Sequence, residues 1–176
     1  MAEIRKATLS DIRPLTELIN GYARNGIMLP RTEFEMAENI RDFMVACQSG
    51  AIVGCGALHF YTPQSGEIRS LAVAPEAKTR GIGRMLVEAL ETEARQYDLA
   101  AIFAFTYVDG FFSKLGFSEV DRGELPLKAW KDCLRCPKFQ ACDEIAMLKQ
   151  LKPASLVSPA PQLAHIETTL VPIRRK

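Results

Sequence analysis

Apolar residues along this chain switch between two periods. Residues 3–7 alternate apolar and polar, as a half-buried strand does. The period then changes, and Ile12, Leu15, Leu18 and Ile19 fall on one helical face. Ser10 is placed to cap that helix, which runs to Tyr22, and Asn25-Gly26 to stop it. Thr32 and Glu35 have capping-box spacing and open a second helix toward Ile40. Alternation returns over 43–48 and 52–61, predicting two strands across a Ser49-Gly50 turn. Residues 63–66 turn the chain into another strand over 67–73. A long helix follows over about 81–96, with Met85, Leu86, Ala89, Leu90 and Ala94 apolar. Residues 100–105 are apolar throughout, the pattern of a strand buried on both faces. A short helix over 109–115 ends at Gly116, and 145–151 reads as the last strand.

The strand over 67–73, the long helix and the strand over 100–105 make a parallel βαβ crossover, while the earlier strands pair as a meander. The expected fold is therefore one α/β domain over residues 1–151, with a mixed sheet flanked by helices. From Lys152 onward, Pro153, Pro159, Pro161 and Pro172 among Ser, Ala and Thr predict a flexible C-terminal tail over 152–176. Within it, 166–173 has a strand pattern that can pair across a homodimer.

Composition adds mainly exclusions. With 176 residues the chain can enclose a core of real size. A net charge of +1 argues against nucleic-acid binding driven by phosphate neutralisation. No apolar run reaches the length of a membrane span, and the first residues lack the apolar stretch of a signal peptide. The expected compartment is the cytoplasm, where the five cysteines are thiols or ligands and not a disulfide framework.

The most informative segment is Leu71-Ala72-Val73-Ala74-Pro75, followed by Lys78-Thr79-Arg80-Gly81-Ile82-Gly83-Arg84. A strand passes through a short polar loop into a helix whose start carries two glycines. Glycines there let backbone N–H groups approach an anion, and the helix dipole favours negative charge. Lys78, Arg80 and Arg84 add positive charge at the same point, so the segment reads as a phosphate cradle. A dinucleotide fingerprint would need a third glycine where Leu86 stands, and a Walker A loop would need Gly-Lys-Ser/Thr. Instead, the segment resembles the pyrophosphate loop of GNAT-superfamily acetyltransferases, Gln/Arg-x-x-Gly-x-Gly/Ala after Leu-x-Val-x-Pro, with Lys78 in the first position. The likeness runs element by element from Ile4 to about Leu151. It implies a GNAT-like domain with a mostly antiparallel sheet and a central parallel splay where the cofactor enters. It also implies acetyl-CoA as cosubstrate, held by Leu71, Ala72 and Val73 and by residues 78–84, with no metal in the chemistry.

A narrower resemblance rests on residues 67–73 (Glu-Ile-Arg-Ser-Leu-Ala-Val), 111–117 (Phe-Phe-Ser-Lys-Leu-Gly-Phe), 124–133 and Leu29-Pro-Arg-Thr-x-x-Glu. These look like the acetyltransferase domain of N-acetylglutamate synthases, above all their short stand-alone bacterial form. That implies acetyl transfer to the α-amino group of glutamate, the first step of arginine biosynthesis. Long synthases carry an amino-acid-kinase-like domain ahead of this one, so arginine inhibition of the classical kind is not expected here.

Acetylating an amine needs a base for the ammonium proton and donors for the thioester oxygen. Glu67 opens the strand that leads into the cofactor loop and can take that proton directly or through water; the resemblance places a glutamate with this role there. The resemblance also implies a bulge that turns the backbone N–H of Ser70 or Leu71 toward the thioester oxygen. Many relatives reprotonate the CoA thiolate with the Tyr of Phe-Tyr-x-x-x-Gly-Phe, but Phe112 stands at that position. The thiolate then leaves unaided or another group serves, and Tyr107 is close in sequence. A two-carboxylate acceptor calls for Arg or Lys forks, and Arg31, Arg69 and Lys114 are the candidates. Arg31 stands just before the second helix, and period two puts Arg69 on one face with Glu67 and Leu71. Backbone groups of Phe105 and Thr106 are candidates to hold the acceptor at the splay.

Cys133-x-x-Cys136-x5-Cys142 admits three readings: thiols near the acceptor pocket, a metal half-site completed by Asp132, Asp143, His165 or a second chain, or a redox-sensitive pair. Cys47 and Cys55 read as buried thiols, and His59 as a packed or edge residue. Two other functions fit the chain. One is a GNAT enzyme for a different amine; the other is a non-catalytic acetyl-CoA sensor, against which Glu67 speaks and for which Phe112 speaks.

Overall fold

The computed structural model describes residues 2–125, 136 and 138–153. Its first strand, β1 (Glu3–Lys6), leads through a 3₁₀ turn into helix α1 (Ile12–Ala23). Ser10 is not the cap. The Asp11 carboxylate accepts the Thr8 backbone N–H at 2.8 Å and both Arg5 guanidinium nitrogens at 2.7 and 2.9 Å. Ser10 instead lies inside the 3₁₀ turn Leu9–Asp11, whose N-cap is Thr8, and Asp11 reaches back to Thr8 as the third residue of that turn's capping box. Helix α2 (Glu33–Asn39) opens on the expected capping box: Glu35 N–H donates to Thr32 Oγ1 at 3.2 Å, and Thr32 N–H to Glu35 Oε2 at 2.9 Å.

Strands β2 (Phe43–Gln48) and β3 (Ala51–Thr62) join through Ser49 and Gly50, at φ 51° and 79°. Two left-handed central residues give the turn whose twist matches the strands. The next turn is tighter than the expected four residues. Strand β4 (Ser65–Val73) starts at once, because the Thr62 hydroxyl accepts from Gln64 and Ser65 N–H groups at 3.2 and 3.0 Å and closes the corner. Helix α3 (Ile82–Gln96) then crosses to β5 (Ala101–Thr106), and α4 (Asp109–Ser113) follows, shorter than expected. Two-residue β6 (Ser118–Glu119), too short to leave a period in the sequence, pairs with β7 (Ile145–Gln150).

The seven strands stand in the order β1-β2-β3-β4-β5-β7-β6, and only β4 and β5 run parallel. This is the expected mixed, mostly antiparallel sheet with one parallel pair, among the described residues. Helices α1 and α2 bury Leu15, Ile19 and Met36 against Phe43, Val45, Cys55, Ala57 and Ala72 on one face. On the other face α3 buries Val87, Leu90 and Ala94 against Leu58, Ile68 and Ile102, joined by Phe112 and Phe117. Among the described residues, no helix is long and apolar enough to cross a membrane. Residues 126–133 of the 124–133 stretch (with Asp132 and Cys133), His165, the 166–173 strand pattern and all of 154–176 lie outside the described residues.

Candidate active site

Parallel pairing between β4 and β5 is brief. Ser65, Gly66 and Glu67 pair with Ala101, Ile102 and Phe103, and beyond them the strands part. A cavity of about 1010 Å³ opens there, at the upper end of small-ligand sites. Its walls are the outer half of β4, the segment between α1 and α2, the start of α3, and the end of β5 with α4. A far wall comes from Arg122, Cys136, Lys138, Cys142 and Glu144.

Strand β4 carries a bulge at the cavity. Cys55 opposes Ala72 and Ala57 opposes Arg69, so Gly56 alone faces both Ser70 and Leu71. Ser70 is left-handed at φ 52°, and its carbonyl accepts from the Cys55 thiol at 3.5 Å. Burial pushes that thiol up to about 12, so it remains protonated. A bulge leaves its extra residue out of the ladder, and both Ser70 and Leu71 line the cavity. The extra residue also shifts the alternation of faces. Glu67 and Arg69 share the α1–α2 face, as expected, but Leu71 packs with the α3 side and does not share theirs.

Glu67 is the last β4 residue paired with β5, so it lies at the apex of the splay. It lines the cavity and is 1% exposed. Arg31 lines the same cavity because Asn20 of α1 clamps its backbone from both sides, Asn20 Nδ2 to its carbonyl and its N–H to Asn20 Oδ1, each at 2.8 Å. Arg69 also reaches the wall, but its guanidinium is held at 3.3 Å from Asn39 Oδ1 and 3.8 Å from Asp42. Phe105 and Thr106 line the cavity, whereas Lys114 is exposed beyond α4 and does not.

At the other end lies the loop over residues 78–84, the expected phosphate cradle. Thr79 and Gly81 are left-handed, at φ 66° and 77°, and Gly81 is the N-cap of α3. Left-handed residues in a turn make successive N–H groups converge into an anion-binding hollow. A Cβ on Gly81 would meet nothing within 4 Å, so backbone conformation, not space, calls for glycine there. On Gly83 a Cβ would come within 3.4 Å of the Phe111 ring. The Tyr22 hydroxyl donates to the Val73 carbonyl at 2.5 Å, and Lys78 Nζ lies 5.1 Å from the centre of the Tyr22 ring. Helix α1 thereby braces the exit of β4 and holds Lys78 at the loop. Ala72, Val73, Ile82 and Arg84 line the cavity as well; Arg80 is exposed outside it. Arg84 shares its charge with Glu88 at 2.7 Å.

Sequence reading left Tyr107 unplaced and did not find its partners. Its hydroxyl donates to Asp143 Oδ1 at 2.8 Å and accepts from Lys138 Nζ at 3.1 Å, at the cavity wall. Burial, chiefly, holds that hydroxyl above its usual value, so it is protonated at neutral pH, as a proton donor must be. Lys138 and Asp143 come from residues 31 and 36 positions away, with no local signal to mark them. Phe112 is 3% exposed and packs on Phe117, as expected of a core residue. Cys136 and Cys142 line the cavity, and the Cys142 thiol lies 3.8 Å from Glu144 Oε2. Among the described residues, no group of three or more His, Cys, Asp or Glu is arranged to hold a metal.

Comparison with known proteins agrees with this geometry. The sequence profile of the acetyltransferase (GNAT) family matches residues 11–117. An uncharacterized N-acetyltransferase of Chlorobaculum tepidum is 45% identical over 148 residues, covering 84% of this chain and 96% of that protein. An amino-acid acetyltransferase of Mycobacterium tuberculosis is 36% identical over 121 residues, 67% of this chain and 69% of its own length. Among solved structures, N-acetylglutamate synthase from Neisseria gonorrhoeae, complexed with coenzyme A and N-acetyl-glutamate, superposes with a TM-score of 0.78 at 27% identity. That match covers 87% of this chain and 36% of the synthase. A Mycobacterium tuberculosis protein in complex with CoA gives a TM-score of 0.75 at 29% identity, covering 85% of this chain and 99% of that one.

Proposed function

This chain belongs to the GNAT acetyltransferase family, and we propose that the amine it acetylates is the α-amino group of L-glutamate, in the cytoplasm, as the first step of arginine biosynthesis. The observation that carries this reading is the presence of Arg31 and Arg69 on the wall of the cavity that Glu67 closes. Two guanidinium groups beside one buried carboxylate suit an acceptor with two carboxylates and one ammonium. The N-acetylglutamate synthase of similar fold, and the relatives named amino-acid acetyltransferases, support the same acceptor.

As an N-acetyltransferase the protein uses acetyl-CoA as cosubstrate. In this reading the N–H groups of residues 79–84 and the start of α3 hold the pyrophosphate, and Leu71, Ala72 and Val73 hold the arm that leads to the thioester. Glu67 takes one proton from the acceptor ammonium, and the freed amine attacks the thioester carbonyl. Negative charge developing on the carbonyl oxygen is met by N–H groups of the Ser70–Leu71 bulge, and Arg31 and Arg69 hold the acceptor carboxylates. Tyr107, kept protonated, takes over the role unavailable to Phe112: it gives its proton to the departing thiolate and is reprotonated by the second proton that the acceptor nitrogen loses. Comparing kcat/KM for glutamate, aspartate, glutamine and a polyamine tests the assignment. Glutamate is expected to be the best of the four, because a shorter chain leaves one clamp unfilled and an amide turns a donor toward a guanidinium. A polyamine that wins, or no free amino acid acetylated, overturns it.

A further inference from the structure

Acetylating an amine releases one proton per turnover. The ammonium loses two on becoming an amide; one ends on the thiol and the other must reach water. Glu67 is 1% exposed, and its open side is the cavity that both substrates occupy during turnover. Directly across the antiparallel ladder from Glu67 stands His59. Side chains at such a pair leave the sheet on the same face, with Cβ atoms about 4.5–5.5 Å apart. His59 Nδ1 lies 2.7 Å from Asp42 Oδ2, in the turn after α2, and the two side chains are 17% and 27% exposed. Arg69, the next residue of β4 on that face, comes within 3.8 Å of the same Asp42 oxygen and is 8% exposed. A path of ionisable groups thus runs from the buried carboxylate to the surface beside α2.

We infer that His59, oriented by Asp42, carries the reaction's surplus proton from Glu67 to solvent. This rests on Glu67 being the base. The Asp42 carboxylate accepts from Nδ1–H, which sets Nε2 as the nitrogen that receives a proton. The O–H bond at Glu67 breaks and an N–H bond forms at Nε2, directly or through one water. The part-exposed imidazolium then loses a proton to water. The Asp42 carboxylate, with Arg69 3.8 Å away, faces the imidazolium across the Nδ1 bond. Histidine suits the task because it is the side chain that titrates nearest neutrality. Groups that face His59 include Glu67 across the ladder, Asp42 after α2, Arg69 of β4, which reaches the same Asp42 oxygen, and Tyr61 on its own strand, with ring centres 5.1 Å apart.

The test is the pH dependence of turnover in Glu67→Gln, His59→Gln, His59→Asn and Asp42→Asn, each checked for a parental thermal midpoint. His59→Gln or His59→Asn is expected to lower kcat about tenfold at unchanged KM for acetyl-CoA, to alter the acidic limb of the profile, and to regain rate with added imidazole. Asp42→Asn is expected to shift that limb with a smaller loss of rate. Glu67→Gln is expected to lose rate that imidazole does not restore. Folded His59 variants with the parental kcat and pH profile, or with lost rate that no imidazole restores, overturn the relay and leave His59 a packing residue. A full-rate Glu67→Gln enzyme overturns Glu67 as the base instead, and with it the reading on which the relay stands.

Discussion

Glu67 owes its chemistry to one position. A residue earlier it would pair within the sheet away from the cavity, and a residue later it would face the α3 side with Ile68. Glu67→Gln keeps the shape and removes the basicity, so kcat should fall about 100-fold while the KM for acetyl-CoA holds, as steady-state kinetics would show. A full-rate variant would move the base elsewhere. Arg31→Ala should raise the KM for glutamate at least tenfold without changing that for acetyl-CoA, since one charge-assisted fork is worth about 1.5–3 kcal/mol. Equal constants in both enzymes would make Arg31 a surface charge. Both residues were legible in the sequence, Glu67 through its place before the loop and Arg31 through the capping box beside it. His59 and Tyr107 were not, because each gains its meaning from a partner 17 or 36 positions away that nothing local marks.

At the scale of elements, the periodicity and apolar runs of the sequence located every strand of four residues or more among the described residues, yet alternation misassigned the face of Leu71. The cause is the left-handed Ser70, which inserts a residue into β4; nothing in the composition of Arg69-Ser70-Leu71 signals it. The cofactor loop was legible because its glycines reflect backbone geometry directly. Gly81→Val should weaken CoA binding about fivefold or more by calorimetry. The cause is the strain of a β-branched residue at φ 77°, about 1–3 kcal/mol, and not a clash, since the space beside Gly81 is open. Unaltered affinity would remove the loop from the binding site. The first helix shows the opposite case: Ser10 had the right chemistry for a cap, but it falls inside a 3₁₀ turn that Thr8 opens and Asp11, tied to Arg5, closes.

Across the whole molecule, topology followed from the order of elements, because a parallel crossover and a meander leave few ways to arrange them. The Arg5–Asp11 pair ties the edge strand to the helical layer and should govern behaviour in acid. The hydrogen bond from Arg5 holds the Asp11 carboxyl well below the usual carboxylate range. A group depressed in the folded state stabilises fully above its unfolded value, about 3.9, and that contribution is lost as pH falls from there toward the folded value. Asp11→Asn should therefore cost about 1–2 kcal/mol at neutral pH, allowing for the half-exposed Arg5, with a gap to the parent that narrows below about pH 4. Denaturant melts at several pH values would measure it, and a gap that persists in acid would deny Asp11 that role.

The three-residue contact between β4 and β5 has a consequence for how the protein responds to its cosubstrate. Past Glu67 and Phe103, the facing edges of these two strands look into the cavity and not at each other, in the middle of a sheet where edges are otherwise matched. An arm of acetyl-CoA laid between them would act as a borrowed strand. Those amides of residues 69–73 and 104–106 that are not bonded to β3 or β7 should then exchange slowly with deuterated water only while CoA is bound, whereas the β2–β3 hairpin should be protected with or without it.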